Sequence, residues 1–343
     1  MIHIAVVILN WNGRGMLERF LPSVIENSQM AGRYSSEVIV ADNGSTDDSV
    51  AFLRECYPQL RLILLDKNYG FAEGYNKALA QVEADYYVLL NSDVECTSHW
   101  IEPVVEMMER EEKVAIAQPK LLMYDQKDTF EYAGGAGGFI DHYGYPFCRG
   151  RLFNTLEKDY GQYDNECDLF WATGAAMFVK APVFHDMGGL DGDFFAHMEE
   201  IDFCWRTKNK GYRVRYCPQS VLYHVGGGTL PKSSPFKTRL NFRNNLSMLY
   251  KNLPEESLMP VLRRRFILDA LAALKFLLQG HIGEFKAVSA AHKEFRSLRP
   301  RLKEKRAVLK QASVAGVYQR LLLSDYYFRR HKTFSTLSGA ISK

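Results

Sequence analysis

The first hundred residues alternate between apolar runs and stretches of helical character. The apolar runs "IHIAVVIL", "EVIVA", "LRLILL" and "YYVLLN" are separated by such stretches. Strands that alternate with helices of this length predict parallel β-α-β units and a twisted sheet with helices on both faces. With 343 residues, 47% of them apolar, the chain is long enough to bury the large core that such a sheet needs.

A polar cluster follows each of the four apolar runs. The clusters are "NWNG", "ADNGSTDDS", "DKNYG" and "NSDVE", in chain order. Since parallel strands end at the same edge of a sheet, and ligands bind in the crevice outside the carboxyl ends, these clusters predict one ligand crevice.

Later parts of the chain differ in character. From about residue 115 to 165 the pattern loosens into a segment rich in glycine and aromatic residues, which indicates hairpins or a mobile loop and no helix. Strand and helix signals return in "DLFWATGAAMFVK" and "HMEEIDFCWRTKNKG", and after about residue 250 the chain becomes helical, basic and rich in leucine. We therefore expect three parts, at 1–115, 116–250 and 251–343.

Charge is distributed unevenly along the chain. Although the net charge is only +3, residues 258–343 hold 18 lysines and arginines against 5 acidic residues. Such a block predicts an anionic partner, which could be lipid headgroups, nucleic acid or the acidic body of the protein itself. Because few aromatic residues interleave with these charges, we do not expect nucleic acid.

One helical stripe lies within this basic part. Its members are Ile267, Leu271, Leu274 and Leu278, and the run is too short and too polar to span a bilayer. Two interpretations stay open, a helix packed on the body and a helix lying at an anionic membrane surface. The first residues carry no basic leader, so we expect a cytoplasmic protein.

Two acids stand at predicted strand ends. Asp42 could accept hydrogen bonds from a base or a ribose, although its segment also resembles a turn before a helix capped by Ser45 or Thr46.

Asp93 could bind Mg²⁺ or Mn²⁺, which prefer oxygen ligands. If its strand continues, Asn91, Asp93 and Glu95 would all point to one side. Equally, Asp93 or Thr97 could cap a helix starting near Ser98, and the segment alone does not decide between these roles.

Other residues bear on catalysis and binding. Gly70 and Gly74 in a predicted helix indicate close approach of a backbone or ligand, while the chain has neither a P-loop nor a G-x-G-x-x-G motif after its first strand. Glu199 and Glu200 begin a helix whose dipole should keep them ionised, so either could act as a general base. Asp202 and Arg206 are predicted to pair across one helical turn.

Six segments together resemble a known family. "VILNWNG", "ADNGSTDDS", "NYGFAEGYNKAL", "LLNSDVE", "TGAAMFVKAPVFHDMGGLDGDFFAHMEEIDFCWR" and "YHVGGGT" are similar, in order and spacing, to the motifs of family 2 glycosyltransferases, especially the rhamnosyltransferase-like bacterial group. The resemblance implies a GT-A fold, which is a twisted mixed sheet flanked by helices, here with a C-terminal helical extension. Residues 1–115 would bind the nucleotide sugar and 116–250 the acceptor.

The same resemblance implies an inverting transfer and assigns roles to individual residues. Glu200 is the expected base, with Glu199 as second choice. Asp93 and His224 would hold Mg²⁺ or Mn²⁺, and Asp202 and Arg206 would support the site. Donor binding is expected at Asn10, Trp11, Asp42, Asn68, Gly74, Asn91 and Asp93.

Two positions depart from the family pattern. Glu200 stands where the family usually has aspartate, which leaves the choice between Glu199 and Glu200 open. Asn91 replaces the first acid of the D-x-D motif, so metal binding should depend on the diphosphate of the donor.

The expected donor is dTDP-rhamnose or a UDP-sugar, and the expected acceptor is a glycan or lipid-linked sugar of the cell envelope. The enzyme would work at the inner face of the membrane, as a monomer or a homodimer. The alternatives are a sugar nucleotidyltransferase, which would need a basic glycine-rich motif after the first strand, and a non-catalytic sugar-binding scaffold.

Overall fold

The computed structural model describes residues 1–226 and 234–342, so the end of the "YHVGGGT" segment lies outside the described residues. The strands are β1 (Ile2–Asn10), β2 (Tyr34–Asp42), β3 (Arg61–Leu64), β4 (Tyr86–Leu90), β5 (Val94–Cys96), β6 (Val114–Met123), β7 (Gly138–Asp141), β8 (Pro146–Cys148), β9 (Arg151–Leu152), β10 (Thr155–Leu156), β11 (Cys167–Leu169), β12 (Ala176–Lys180), β13 (Arg213–His224) and β14 (Val317–Tyr318). The α-helices are α1 (Arg14–Asn27), α2 (Ser49–Cys56), α3 (Gly70–Leu79), α4 (Glu102–Arg110), α5 (Ala181–Asp186), α6 (Glu199–Asn209), α7 (Pro235–Asn252), α8 (Glu255–Leu278), α9 (Ile282–Val308) and α10 (Leu322–Tyr327).

The main sheet has the strand order β11-β13-β6-β12-β4-β1-β2-β3, with β5 beside β13. Strands β1 to β4 run parallel, as the alternating pattern predicts. Strand β12 lies antiparallel between β4 and β6, which makes the sheet mixed. The predicted α/β fold class, a twisted mixed sheet flanked by helices, is confirmed.

Strand β1 shows why the sheet is covered on both faces. Ile4, Val6 and Ile8 pack into one core, and the alternate residues Ala5 and Val7 pack into the other. Since successive side chains of a strand point to opposite faces, a continuous apolar run is what a strand between two helical layers requires.

The segment rich in glycine and aromatic residues contains no helix, as predicted. It folds into a second sheet of order β10-β9-β8-β7-β14. Strand β14 comes from the C-terminal part and pairs in parallel with β7. The C-terminal part therefore completes a sheet that the middle of the chain begins.

The C-terminal helices pack on one another and on the body. The predicted boundary near residue 250 falls inside α7, whose last carbonyls are bound from α9. The Arg306 guanidinium donates to the carbonyls of Tyr250 and Leu253 at 2.9 and 2.6 Å. Among residues 1–226 and 234–342, no helix combines the length and apolarity needed to cross a bilayer.

Candidate active site

The carboxyl ends of four strands meet at one edge of the main sheet. Strands β1, β2, β4 and β13 run in the same direction and end at Asn10, Asp42, Leu90 and His224. Asp93 follows β4 by three residues, in the turn that leads into β5. The sheet thus brings together residues more than 200 positions apart in the chain.

Asp93 and His224 are in direct contact at this edge. The Nε2 atom of His224 lies 3.0 Å from Oδ1 of Asp93, and both side chains are buried. The amide of Asn91 lies 3.4 Å from the same Nε2 atom. Backbone pairing fixes the contact, because β5 runs antiparallel to β13 with Val94 opposite His224.

The alternative role of Asp93 as a helix cap is wrong. Helix α4 starts at Glu102, nine residues later, and its N-cap residue is Ile101. The other candidate cap, Thr97, donates its hydroxyl to the carbonyl of Val221 at 2.7 Å. Asp93 is therefore free of any helix-capping role.

Glu95 does not share the side of Asn91 and Asp93. The chain turns at residues 91–93 before β5 begins, which interrupts the alternation expected of one continuous strand. Glu95 instead forms an ion pair with Lys127, whose side chain is about half exposed.

Glu131 is a site residue that the sequence did not indicate. Its carboxylate is buried, with Oε1 3.4 Å from Nδ1 of His224, while its Oε2 accepts from the Ala133 amide at 2.6 Å. His224 thus lies between two carboxylates, one at each ring nitrogen. Glu131 belongs to no motif and stands alone in a glycine-rich segment, so only the fold brings it to His224.

The two carboxylates control the charge of the imidazole. Burial would lower the pKa of His224, but the charges of Glu131 and Asp93 outweigh it and raise that pKa to about 10. Burial would likewise raise the pKa of Asp93, but the His224 charge outweighs it and lowers that pKa. Without a metal, the pair is therefore an imidazolium and a carboxylate.

The donor atoms of this pair fit a divalent ion. Two ligands at right angles, each about 2.1 Å from an ion, lie about 3.0 Å apart, which is the separation of Nε2 and Oδ1. A carboxylate at the other ring nitrogen is the usual partner of a metal-bound histidine, and Glu131 occupies that position. Among the described residues no three acidic, histidine or cysteine side chains converge on one point, so further ligands would have to come from a substrate or water.

Asn10 and Asp42 form a second buried pair along the same edge. The Asn10 amide donates to Oδ2 of Asp42 at 3.0 Å, and the Ser45 amide donates to Oδ1 at 2.9 Å. The Oδ1 atom of Asn10 is buried without a hydrogen-bond partner. Helix α2 begins only at Ser49, so the expected caps Ser45 and Thr46 are wrong; the Ser49 amide donates to Asp47 at 3.1 Å.

The glycines of α3 are explained by protein contacts. A Cβ at Gly70, whose φ is +77°, would lie 2.6 Å from the carbonyl oxygen of Phe195, and a Cβ at Gly74 would lie 2.9 Å from the Leu9 side chain. Asn68 accepts from the Gly70 amide at 2.8 Å and so fixes the start of the helix. Trp11, the residue that follows β1, has a side chain that is 40% exposed.

Glu199 and Glu200 begin α6, but their environment differs from the prediction. Burial raises the pKa of Glu200 to about 7 and that of Glu199 well above its ordinary value. The Oε2 atom of each has no hydrogen-bond partner. The expectation that the helix dipole keeps both ionised is wrong, because burial outweighs it.

The loop before Glu199 has an unusual backbone. Phe195, His197 and Met198 have φ values of 65°, 69° and 72°, a region that side-chain-bearing residues rarely adopt. The Asn244 amide of α7 donates to the carbonyls of residues 194, 196 and 197 at 3.0, 2.9 and 2.7 Å. Asn244 therefore fixes the loop that carries the two glutamates.

Asp202 and Arg206 form the ion pair expected within α6, with Nε 2.8 Å from Oδ2. Both are buried. Arg206 also donates to the carbonyls of Met187 and Gly189 at 2.7 and 2.8 Å, and Asp202 accepts from Lys251 at 2.9 Å. The pair therefore joins α6 to the preceding loop and to α7.

Cys148 interacts with one acid of each group. Its buried thiol has a pKa of about 11, raised by burial and further by the charges of Glu131 and Glu200. The neighbouring Arg151 is also buried, and its Nε atom lacks a hydrogen-bond partner. Glu131 and Glu200 are thus both close enough to Cys148 for their charges to act on its thiol.

Comparison with known proteins identifies the type of protein. Residues 5–159 match the family model described as "Glycosyl transferase family 2". An N-acetylglucosaminyl-diphospho-decaprenol L-rhamnosyltransferase of Mycobacterium tuberculosis is 25% identical over 243 residues, which cover 65% of this chain and 76% of that protein.

Two solved structures share the fold. The S. aureus TarS 1–349 structure has a TM-score of 0.54 at 14% identity, over 89% of this chain and 87% of that one. The structure of GalNAc-T7 with UDP, GalNAc and Mn²⁺ has a TM-score of 0.57 at 14% identity. The match covers 74% of this chain and 49% of that chain.

The fold is therefore the GT-A fold, and the protein is a glycosyltransferase. Residues 5–159 are the part that matches the family 2 glycosyltransferase model, and the chain is similar to a rhamnosyltransferase.

Proposed function

We propose that the protein is an inverting glycosyltransferase that moves a sugar from a nucleoside diphosphate to an acceptor hydroxyl. Two observations carry this proposal. A buried Asp93–His224 pair lies at the sheet edge with Glu131 at its other ring nitrogen, and Glu200, with a pKa of about 7, acts with Glu131 on the buried Cys148 thiol. One group can hold the leaving diphosphate, and the other can take the acceptor proton.

Donor recognition is assigned to the strand-end residues. The unpartnered Oδ1 atom of Asn10 can accept one hydrogen bond from the nucleotide, and Asp42, which fixes the Asn10 amide, retains lone pairs for a base or ribose. Trp11 offers an exposed ring beside them. Asn68 and Gly74 act by holding α3 against β1.

Asp93 and His224 would hold Mg²⁺ or Mn²⁺, with Glu131 orienting the imidazole and Asn91 as a neutral neighbour. When bound, the ion would neutralise the negative charge that develops on the leaving diphosphate oxygen. Because the protein offers few ligands here, we expect binding of the ion to be much stronger when a nucleoside diphosphate is present.

Glu200 acts as the general base. At neutral pH a carboxylate with a pKa near 7 is partly ionised and well matched to take a proton, whereas burial raises the pKa of Glu199 well above its ordinary value and so favours its protonated form. Glu200 takes the proton of the acceptor hydroxyl, and the acceptor oxygen bonds to the anomeric carbon from the face opposite the leaving nucleoside diphosphate. This single displacement inverts the anomeric centre. The Asp202–Arg206 pair and Asn244 hold α6 and its loop in place.

The proposed donor is dTDP-rhamnose, with UDP-sugars as the second choice, because the Mycobacterium relative is named a rhamnosyltransferase and GalNAc-T7 was solved with UDP. The name of the first also favours a lipid-linked acceptor, used at the inner face of the membrane. Release of nucleoside diphosphate from a panel of donors, with and without Mn²⁺ or Mg²⁺, tests this assignment. Release that requires both acceptor and ion supports it, while no turnover of any donor would contradict it.

A further inference from the structure

Helix α8 is apolar on two opposite faces. Its inward face is buried and includes Val261, Leu262 and Ala273. The opposite side carries the four residues that we call the α8 stripe. The members Ile267, Leu271, Leu274 and Leu278 are 62, 57, 49 and 79% exposed.

Aromatic residues of α10 extend this surface. Phe328 is 85% and Tyr327 49% exposed. The Lys275 ammonium of α8 lies 5.8 Å from the Tyr327 ring, so the end of α10 is beside the C-terminal half of α8. We call the α8 stripe together with Tyr327 and Phe328 the α8–α10 surface.

The charges around the α8–α10 surface are basic. Arg263 and Arg264 stand one turn before Ile267, and Lys275 follows Leu274; all three are exposed. Between residues 257 and 283 the single acid is Asp269. It is fully buried and paired with Arg265 at 3.1 Å and His292 at 3.0 Å.

We propose that the α8–α10 surface binds a bilayer that contains anionic lipids, with α8 lying in the plane of the interface. From Ile267 to Leu278 the stripe is roughly 17 Å long, which suits a helix lying in the plane. Apolar side chains inserted at the headgroup boundary, with lysines and arginines at their rim, are the features of interfacial helices. This choice of partner rests on the proposed function, which places the acceptor in a membrane.

Charge distinguishes a bilayer from a second copy of the chain. Two copies paired through this surface would bring the same arginines and the same lysine together, with no exposed acid from residues 257–283 to neutralise them. Anionic headgroups supply that charge at every point of the surface.

The test is co-sedimentation of the full-length protein with vesicles of phosphatidylcholine alone or with 30% phosphatidylglycerol, without donor, acceptor or metal. We expect binding to the anionic vesicles only. The variant Ile267→Gln with Leu271→Gln should bind at least about tenfold more weakly. Arg263→Gln with Lys275→Gln should weaken binding and reduce its dependence on salt.

Leu64→Gln is the matched control, since Leu64 is also 49% exposed but lies on β3, and it should bind like the unmodified protein. Circular dichroism checks that each variant is folded. Equal binding by the Ile267/Leu271 variant, or no binding by the unmodified protein, would overturn the proposal. A dimer without lipid that this variant abolishes would assign the surface to a second copy instead. Donor turnover in solution is scored separately, so failure to bind vesicles does not bear on transfer.

Discussion

Glu200 is the residue on which the proposed chemistry depends most. Replacing it with glutamine keeps the shape of the side chain and removes the base. We expect Glu200→Gln to lower the transfer rate by about 100- to 10,000-fold, with donor affinity unchanged by calorimetry. Glu199→Gln is the paired variant and should keep most activity. The reverse pattern would make Glu199 the base.

The pKa of Glu200 also predicts a pH dependence. A base is active when deprotonated, and burial raises the pKa of Glu200 to about 7. The transfer rate should therefore rise with pH through about 7 and fall below it, well above the pH at which an ordinary glutamate titrates. Initial rates measured at saturating donor and acceptor between pH 5 and 9 test this. A transfer rate that stays constant down to pH 5 would exclude a Glu200 with a pKa of about 7 as the base.

Glu131 provides a test of the metal site. Loss of a carboxylate that orients a metal-bound histidine typically costs about 10- to 100-fold in metal affinity. We expect that loss for Glu131→Gln, measured by calorimetric titration of Mn²⁺ into protein saturated with nucleoside diphosphate. Glu95→Gln is the control, because Glu95 lies two residues from Asp93 but pairs with Lys127. Equal Mn²⁺ affinity in the two variants would show that Glu131 has no role in metal binding.

Individual residues also show what the sequence could and could not predict. Asp93 and His224, 131 positions apart, were predicted together because each belongs to a family motif. The high pKa values of Glu199 and Glu200 were not, because burial depends on how the loop and the second sheet close over α6. Glu131 and Asn244 carry no motif, and their roles follow from tertiary contacts alone.

At the level of elements, the loop between the short 3₁₀ helix at residues 192–194 and α6 is held in a constrained backbone conformation. Its three positive φ values are costly, and the Asn244 amide binds three of its carbonyls. Asn244→Ala removes the donor to the carbonyls of Ala196 and His197, while the Phe194 carbonyl keeps its bond from Arg243. We expect the catalytic rate to fall at least about tenfold while the KM for the donor changes little, as measured by steady-state kinetics.

The adjacent Asn245→Ala is the matched control for this prediction. Asn245 is also buried, but it donates to the Gly144 carbonyl, at 2.6 Å. Both variants should melt at a lower temperature, which circular dichroism measures. If both lose the same fraction of activity, Asn244 has a structural role only.

The elements were easier to predict than the site. Alternating patterns indicated β1 to β4 and the helices between them, because local periodicity reports one-sided or two-sided burial directly. For the second sheet the sequence indicated hairpins or a mobile loop and no more, since its strands are two to four residues long and β14 comes from 176 positions beyond the end of β7. The turn at residues 91–93 likewise ended an alternation that appeared to continue toward Glu95.

In the whole molecule, the basic C-terminal part has two faces. One face packs on the body, where Lys305 and Arg301 pair with Asp193 at 2.6 and 3.0 Å. The other face carries the α8 stripe. The sequence left a packed helix and an interfacial helix as alternatives, and the structure shows that α8 is packed through one face while exposing apolar residues on the other.

The stereochemistry of transfer tests the central claim most directly. We propose incubation of the protein with dTDP-rhamnose, Mn²⁺ and an N-acetylglucosaminyl-diphospho-lipid acceptor, followed by NMR of the product. A single displacement with Glu200 as base predicts that the transferred sugar has the anomeric configuration opposite to that in the donor, and that Glu200→Gln forms little product. A product that retains the donor configuration would contradict the proposed mechanism.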